Sequence, residues 1–129
     1  MTRANGSTFP GPEFWRAFAD ERFALPRCSA CGAWQSYGAR ACAACDSGDL
    51  EWRDASGGGS VYSLMERHAG ADAARVLYVV VLRLDEGPLV MGAAYALPGA
   101  LRPGARASAL AGEAAVEGLP LFEVAPETA

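Results

Sequence analysis

The sequence predicts a mainly β protein with a short N-terminal helix, a cysteine-rich segment that binds a metal, and a small barrel of five strands. Three observations lead to this fold class: an aromatic amphipathic stretch, two C-x-x-C pairs, and a series of short apolar runs separated by turn residues. The chain has 129 residues, of which 51% are hydrophobic and 20% charged. This composition is typical of a folded globular protein.

The N-terminal helix is predicted to begin at Pro12, in the stretch PEFWRAFADERF. Proline is favoured in the first helical turn, and an acidic residue there, here Glu13, is favourable as well. The aromatic face of this helix consists of Phe14, Trp15 and Phe18. This face either packs on the rest of the chain or binds a partner protein. Residues 1–11 are predicted to be a flexible lead-in.

All four cysteines lie in the segment CSACGAWQSYGARACAAC, as two C-x-x-C pairs separated by ten residues. Each pair places two thiolates on one tight turn, and two such turns facing each other form the tetrahedral sulfur site that zinc prefers. A shell of four thiolates leaves no position for water or substrate, so the metal is expected to be structural. The predicted ligands are Cys28, Cys31, Cys42 and Cys45.

Five short strands are predicted after the three glycines at residues 57–59, and a module boundary is placed near residues 52–56. The strands begin at Ser60, Arg75, Leu89, Ala105 and Leu119. Five short strands in about seventy residues are typical of a closed or partly closed barrel, of which the OB-fold is the commonest candidate. The predicted modules are the helix and ribbon at residues 12–55, the barrel at 56–125 and a tail at 126–129.

The charge balance argues against a nucleic-acid-binding protein, because the net charge is −4 and the arginines are scattered. A zinc-ribbon and OB-fold module that stacks single strands on aromatic side chains is the alternative function. Iron in the sulfur site would make an electron carrier, which is a further alternative. We expect no membrane segment and no signal peptide, and hence a cytoplasmic protein with reduced thiols.

The order of these segments resembles a known family. The helix FWRAF, the turns CSACG and CAAC, and the barrel segments GSVYS, YVVVLRLDEGPLVMG, RPGARA and GLPLFEV are similar to the domain of unknown function 35 family (DUF35). The resemblance spans residues 12–125 and implies a rubredoxin-like zinc ribbon joined to an OB-fold. It also implies a non-catalytic companion of a thiolase-like enzyme (a thiolase, acyltransferase or aldolase) that helps bind the acyl-CoA substrate of its partner.

Some residues depart from the family pattern. Asp46 stands where the family usually has a glycine after the second cysteine pair, the usual proline after Cys42 is missing, and an upstream arginine is displaced to Arg40. These departures leave the fold prediction unchanged.

The candidate acyl-CoA contacts are Arg67 and Arg75, which flank the loop between the first two barrel strands and can bind phosphate. Solvated arginines without a role are the alternative. His68, in the same loop, is not expected to be catalytic. The small residues Gly92, Ala93, Ala94 and Ala96 either open a passage for the acyl arm or fit a tight barrel corner. The partner is expected to bind through Phe14, Trp15 and Phe18.

Overall fold

The computed structural model describes residues 9–67, 75–97 and 99–124, and in these residues the chain forms one helix and seven strands. In chain order the elements are α1 (Pro12–Ala19), β1 (Ala24–Cys28), β2 (Leu50–Asp54), β3 (Gly58–Arg67), β4 (Val76–Leu84), β5 (Leu89–Ala96), β6 (Arg106–Ala109) and β7 (Phe122–Val124). None of the described residues belong to a helix that is long and apolar enough to cross a bilayer.

Helix α1 begins at Pro12, as predicted from the sequence. Proline is tolerated there because the backbone N–H of a residue in the first turn has no partner within the helix. The helix continues for eight residues and ends before Asp20, whose N–H donates to the carbonyl of Ala17, while the N–H of Glu21 donates to the carbonyl of Phe18, both at 3.0 Å. Glu21 follows with a φ of 61°, a left-handed conformation that interrupts the helical run.

Strands β1 and β2 form an antiparallel pair at the two ends of the cysteine segment. The register pairs Cys28 with Leu50 and Ala24 with Asp54, so this pair closes the base of the segment that carries the other three cysteines. The backbone N–H of Gln35 donates to the carbonyl of Pro26 at 2.8 Å, which ties the middle of the segment to β1 as well. Neither strand is predicted from the sequence.

The second sheet of the described residues is antiparallel, with strand order β5-β4-β3-β6-β7, and it curls into a nearly closed barrel. A parallel bridge between Ala93 and Leu121 brings the chain just before β7 against β5 and so joins the two edges. The register shifts between Val61 and Ser63, where a bulge bends β3. The predicted mainly β fold with a five-stranded OB-type barrel is confirmed.

The small residues of β5 fit tight packing within this chain. A Cβ atom added at Gly92 would lie 2.5 Å from Cδ1 of Phe122, a distance that real side chains do not tolerate. Phe122 is itself a core residue, exposed by only 2%. Ala93 and Ala94 are also buried. The space beside Gly92 is therefore filled by a side chain of the same molecule, in agreement with the barrel-corner alternative.

One hydrophobic core runs through the helix, the cysteine segment and the barrel. The ring of Phe14 on α1 lies 4.7 Å from that of Tyr37 and 5.5 Å from that of Phe23, between centroids. Phe23 in turn contacts Phe122 of β7 at 5.8 Å. The buried hydroxyl of Tyr37 donates to the carbonyl of Met91 on β5 at 2.8 Å. The cysteine segment and the barrel thus share their side-chain packing.

The prediction that Phe14 and Phe18 form a partner-binding surface on α1 is wrong. Their exposed fractions are 0% and 1%, and both belong to the core cluster that includes the barrel residues. Trp15 is partly buried and packs against the same core. A short helix carries three large aromatics because it is covered by its own chain, which is the alternative that the sequence left open.

Candidate metal centre

The first cysteine pair lies on a tight turn that follows β1. Gly32 donates its backbone N–H to the carbonyl of Cys28, and Cys28 donates its own N–H to the carbonyl of Ala33, both at 2.8 Å. Gly32 has a φ of 83°, the left-handed conformation that glycine adopts at little cost. These bonds fix the turn that carries Cys28 and Cys31.

The second pair repeats this pattern of bonds. Asp46 donates its N–H to the carbonyl of Cys42, and Cys42 donates to the carbonyl of Ser47, again at 2.8 Å. Asp46 has a φ of 67°, so it occupies the left-handed position that Gly32 occupies in the first turn. Aspartate visits this conformation more readily than most residues other than glycine. The departure from the family's glycine therefore leaves the turn intact.

The two turns bring the four Sγ atoms together, all within 4.8 Å of one another. The Sγ atoms of Cys28 and Cys45 are 3.6 Å apart, and those of Cys31 and Cys42 are 3.5 Å apart. A tetrahedral zinc ion with Zn–S bonds of about 2.3 Å holds its sulfurs about 3.8 Å apart, so these spacings suit it. All four cysteines are free thiols, and together they can hold a metal such as zinc.

Backbone N–H groups favour the thiolate form of the first cysteine in each turn. The N–H groups of Cys45 and Ala44 donate to Sγ of Cys42 at 3.4 and 3.3 Å, and they lower the pKa of Cys42 to about 6. The N–H of Cys31 lowers the pKa of Cys28 in the same way. In the other two cysteines the N–H groups of Ala33 and Ser47 act in the same direction, but the neighbouring thiols outweigh them and raise the pKa of Cys31 and, to about 12, that of Cys45. Because metals bind thiolates and not thiols, the backbone donors favour metal binding at Cys28 and Cys42 in particular.

Gln35 joins the two turns, and it is not among the residues predicted from the sequence. Gln35 is 4% exposed and is the one buried residue with an amide or charged side chain in the described part of the chain. Nε2 donates to the carbonyl of Ala33 at 3.1 Å and to Sγ of Cys42 at 3.3 Å, while Oε1 accepts the N–H of Ala43 at 3.0 Å. A lone glutamine in a loop carries no sequence pattern that separates it from a solvated one.

Arg27 supports the first turn from the outside. Its guanidinium lies over the ring of Trp34, 5.3 Å from the centroid, and its Nε donates to the carbonyl of Gly32 at 3.0 Å. Trp34 is one of the aromatics that the nucleic-acid alternative would use for base stacking. In this structure one of its faces is already covered by Arg27.

The two arginines proposed as acyl-CoA contacts lie in different settings. Arg67, at the end of β3, donates two hydrogen bonds to Glu117, with Nη2 to Oε1 at 2.9 Å and Nε to Oε2 at 3.3 Å. Arg75, just before β4, borders a cavity of about 290 Å³. The lining consists of Arg75, Tyr95, Leu110, Leu121, Phe122, Glu123 and Val124. Acyl-CoA binding by either arginine stays a prediction, and His68 lies outside the described residues.

No family model and no curated protein matches the sequence. Several chains of solved structures are similar to this one in fold, including the following two. One is the chain called Ltp2-ChsH2(DUF35) aldolase, with a TM-score of 0.67 and 24% identity over 87% of this chain and 91% of that chain. The other is a DUF35-family protein of unknown function from Sulfolobus solfataricus, with a TM-score of 0.64 and 17% identity over 90% of this chain and 87% of that one. The chain therefore has the fold of DUF35-family proteins, as the sequence resemblance implied.

Proposed function

We propose that this chain is a non-catalytic accessory subunit that binds a thiolase-like enzyme and helps to bind its acyl-CoA substrate. The observation that carries the proposal is the similarity in fold to Ltp2-ChsH2(DUF35) aldolase, which covers 87% of this chain. The name of that structure mentions both a DUF35 chain and an aldolase. A comparable role here is consistent with the thiolase-like partner that the sequence resemblance implies.

The chemistry of the thiols supports a non-catalytic role. A thiolase-type reaction requires a nucleophilic cysteine activated by a base. All four cysteines of this chain belong to the one sulfur cluster, so none is left over as a nucleophile. In the proposed division of labour the partner supplies the catalytic cysteine and histidine, and this chain supplies binding surface.

The metal is proposed to be one structural zinc ion per chain, held by Cys28, Cys31, Cys42 and Cys45. A complete shell of four thiolates has no open position for a reacting molecule. The ion would instead stabilise a segment whose large side chains in or against the core are Tyr37 and Trp34.

The cavity beside Arg75 is proposed as the contribution of this chain to acyl-CoA binding. A guanidinium at the edge of a cavity suits phosphate oxygens, and apolar side chains such as Leu121 and Phe122 suit a pantetheine or acyl arm. Arg67 would contribute to acyl-CoA binding only after its ion pair with Glu117 breaks. The proposal retains the predicted modules at residues 12–55 and 56–125, and a cytoplasmic location, for which reduced cysteines are typical.

Co-expression with each thiolase-like protein of the same organism tests the role. We expect one of these enzymes to co-purify with the chain on size-exclusion chromatography, and to lose activity or stability without it. Acyl-CoA turnover is then measured by chromatography for the chain alone, the enzyme alone and the complex. Turnover by the chain alone would contradict the proposal, as would co-purification with nucleic acid in place of an enzyme.

A further inference from the structure

Strand β4 is apolar on both of its faces. Its inward side chains are buried at 2% exposure or less: Tyr78, Val80, Leu82 and Leu84. The side chains that alternate with them, Leu77, Val79 and Val81, point outward and are partly exposed. In an antiparallel sheet with one solvated face, the outward positions are normally polar. The run VLYVVVL therefore has the pattern of a strand that is covered on both faces.

The neighbouring strands extend this apolar surface. The register places Val79 between Met65 of β3 and Ala93 of β5, and Leu77 between Arg67 and Tyr95. Met65 is 57% exposed and Tyr95 is 40% exposed. We call this surface the outer face. Its larger apolar side chains are Met65, Leu77, Val79, Val81, Leu89, Met91 and Tyr95, and the register also places Ser60, Ser63 and the buried Ala93 on it.

Three of the larger side chains of the outer face keep much of their surface exposed within the described residues: Met65 57%, Tyr95 40% and Leu89 38%. The principal neighbours of β4 are β3 and β5, on either side of it in the sheet, while α1 packs against β1. Three adjacent strands with apolar side chains on one exposed surface form a patch of the kind that marks an interaction site.

The charges around the outer face indicate what kind of partner it fits. The charged side chains that the register places on this face are Arg67 and Arg83, and Arg75 lies beside Tyr95 at one end. Arg67 is paired with Glu117, whereas Arg83 lies over the ring of Tyr62 and donates to the carbonyl of Gly87. The three strands place no acidic side chain on this face, but Glu117 pairs with Arg67 and Glu123 lines the same cavity as Arg75, so Arg83 contributes most to the positive charge of the border. A cationic border on an apolar patch is complementary to an apolar patch bordered by carboxylates.

A second copy of this chain fits the outer face poorly. Two outer faces related by a twofold axis would bring Arg83 of one copy against Arg83, or against the end with Arg75, of the other. Either arrangement places like charges opposite each other, which is unfavourable at an interface.

We propose that the outer face is the docking surface for the partner enzyme, and that the partner presents an apolar patch bordered by aspartate and glutamate. The inference rests on the proposed accessory role and assigns the interface to the barrel in place of α1. Because the patch is apolar at its centre and cationic at its border, association should be sensitive to central substitutions and to salt.

Met65→Glu and Val81→Glu test the centre of the outer face, and Arg83→Glu tests its border. The matched control is Ser108→Glu, an exposed position on β6 away from the outer face. The probe is the purified thiolase-like enzyme that binds the wild-type chain, and affinity is measured by calorimetry at two salt concentrations. We expect the two central variants to lose at least tenfold in affinity, Arg83→Glu to lose the salt dependence, and Ser108→Glu to bind like wild type. Met65→Glu is the variant least able to disturb folding, because Met65 is 57% exposed.

The outcomes separate this inference from the proposed function. If the wild-type chain binds the enzyme and folded Met65→Glu binds equally well, the outer face is not the docking surface and the accessory role stands. If the wild-type chain binds no thiolase-like enzyme, both fail. If the isolated chain forms a dimer in sedimentation that Met65→Glu abolishes and Ser108→Glu does not, a second copy covers the face and the inference is overturned.

Discussion

Asp46 and Gln35 complete the metal centre from outside the C-x-x-C pattern. Asp46 supplies a left-handed backbone position, and Gln35 supplies a buried amide that contacts both turns. The clustering of the four cysteines could be predicted because their spacing is itself the signal. The role of Gln35 could not be predicted, because it depends on the approach of two turns that are separated in the sequence. A single polar residue also has no periodicity that would mark it as buried.

Gln35→Leu is expected to weaken zinc binding while leaving the cysteines in place. Leucine has a similar size but makes no hydrogen bonds, so the carbonyl of Ala33, the N–H of Ala43 and Sγ of Cys42 lose their partner. Loss of a residue that supports metal ligands typically costs about 10- to 100-fold in affinity. Competition with a chromophoric chelator measures the change. Arg40→Leu, at an exposed position of the same segment, is the control, and equal affinities for both variants would show that Gln35 does not support the site.

The elements of the barrel follow from short apolar runs and from the turn residues between them, which are local signals. Strands β1 and β2 lack such signals, because β1 contains Pro26 and β2 is the largely exposed run LEWRD. Their pairing depends on the cysteine segment between them, which returns the chain to the same place. The prediction that Phe14 and Phe18 of α1 bind a partner was wrong for a similar reason. The sequence of an amphipathic helix shows that its apolar face is covered, but it does not show whether the same chain or another protein covers it.

Phe14→Ala is expected to destabilise the isolated chain, because Phe14 is fully buried and contacts Trp15, Phe18, Phe23 and Tyr37. Replacing a core phenylalanine by alanine costs about 3–5 kcal/mol in the free energy of unfolding. Urea denaturation measures the change, with Arg16→Ala on the exposed side of α1 as the control. If Phe14→Ala left the stability unchanged but abolished binding to the enzyme, the result would indicate that the interface lies on α1.

The whole molecule is held together by a core that the predicted modules at residues 12–55 and 56–125 share. Phe23 contacts Phe122 of the barrel, and the hydroxyl of Tyr37 binds the carbonyl of Met91. The sequence predicts the two modules from a change in composition near the three glycines. It contains no local signal for the packing between them, which depends on single aromatic residues placed far apart in the chain.

Removal of the metal is expected to destabilise the barrel as well as the cysteine segment. Structural zinc contributes about 10–16 kcal/mol of apparent binding free energy in small modules, and without it the turns that position Tyr37 lose their anchor. Tyr37 then no longer supports Phe14 or the edge of β5. Hydrogen exchange of the β4 amides measures the effect, because β4 is the centre of the three-strand outer face and contains no metal ligand. We expect chelation to reduce β4 protection and added zinc to restore it, whereas equal β4 protection in the chelated and zinc-loaded protein would show that the barrel folds independently.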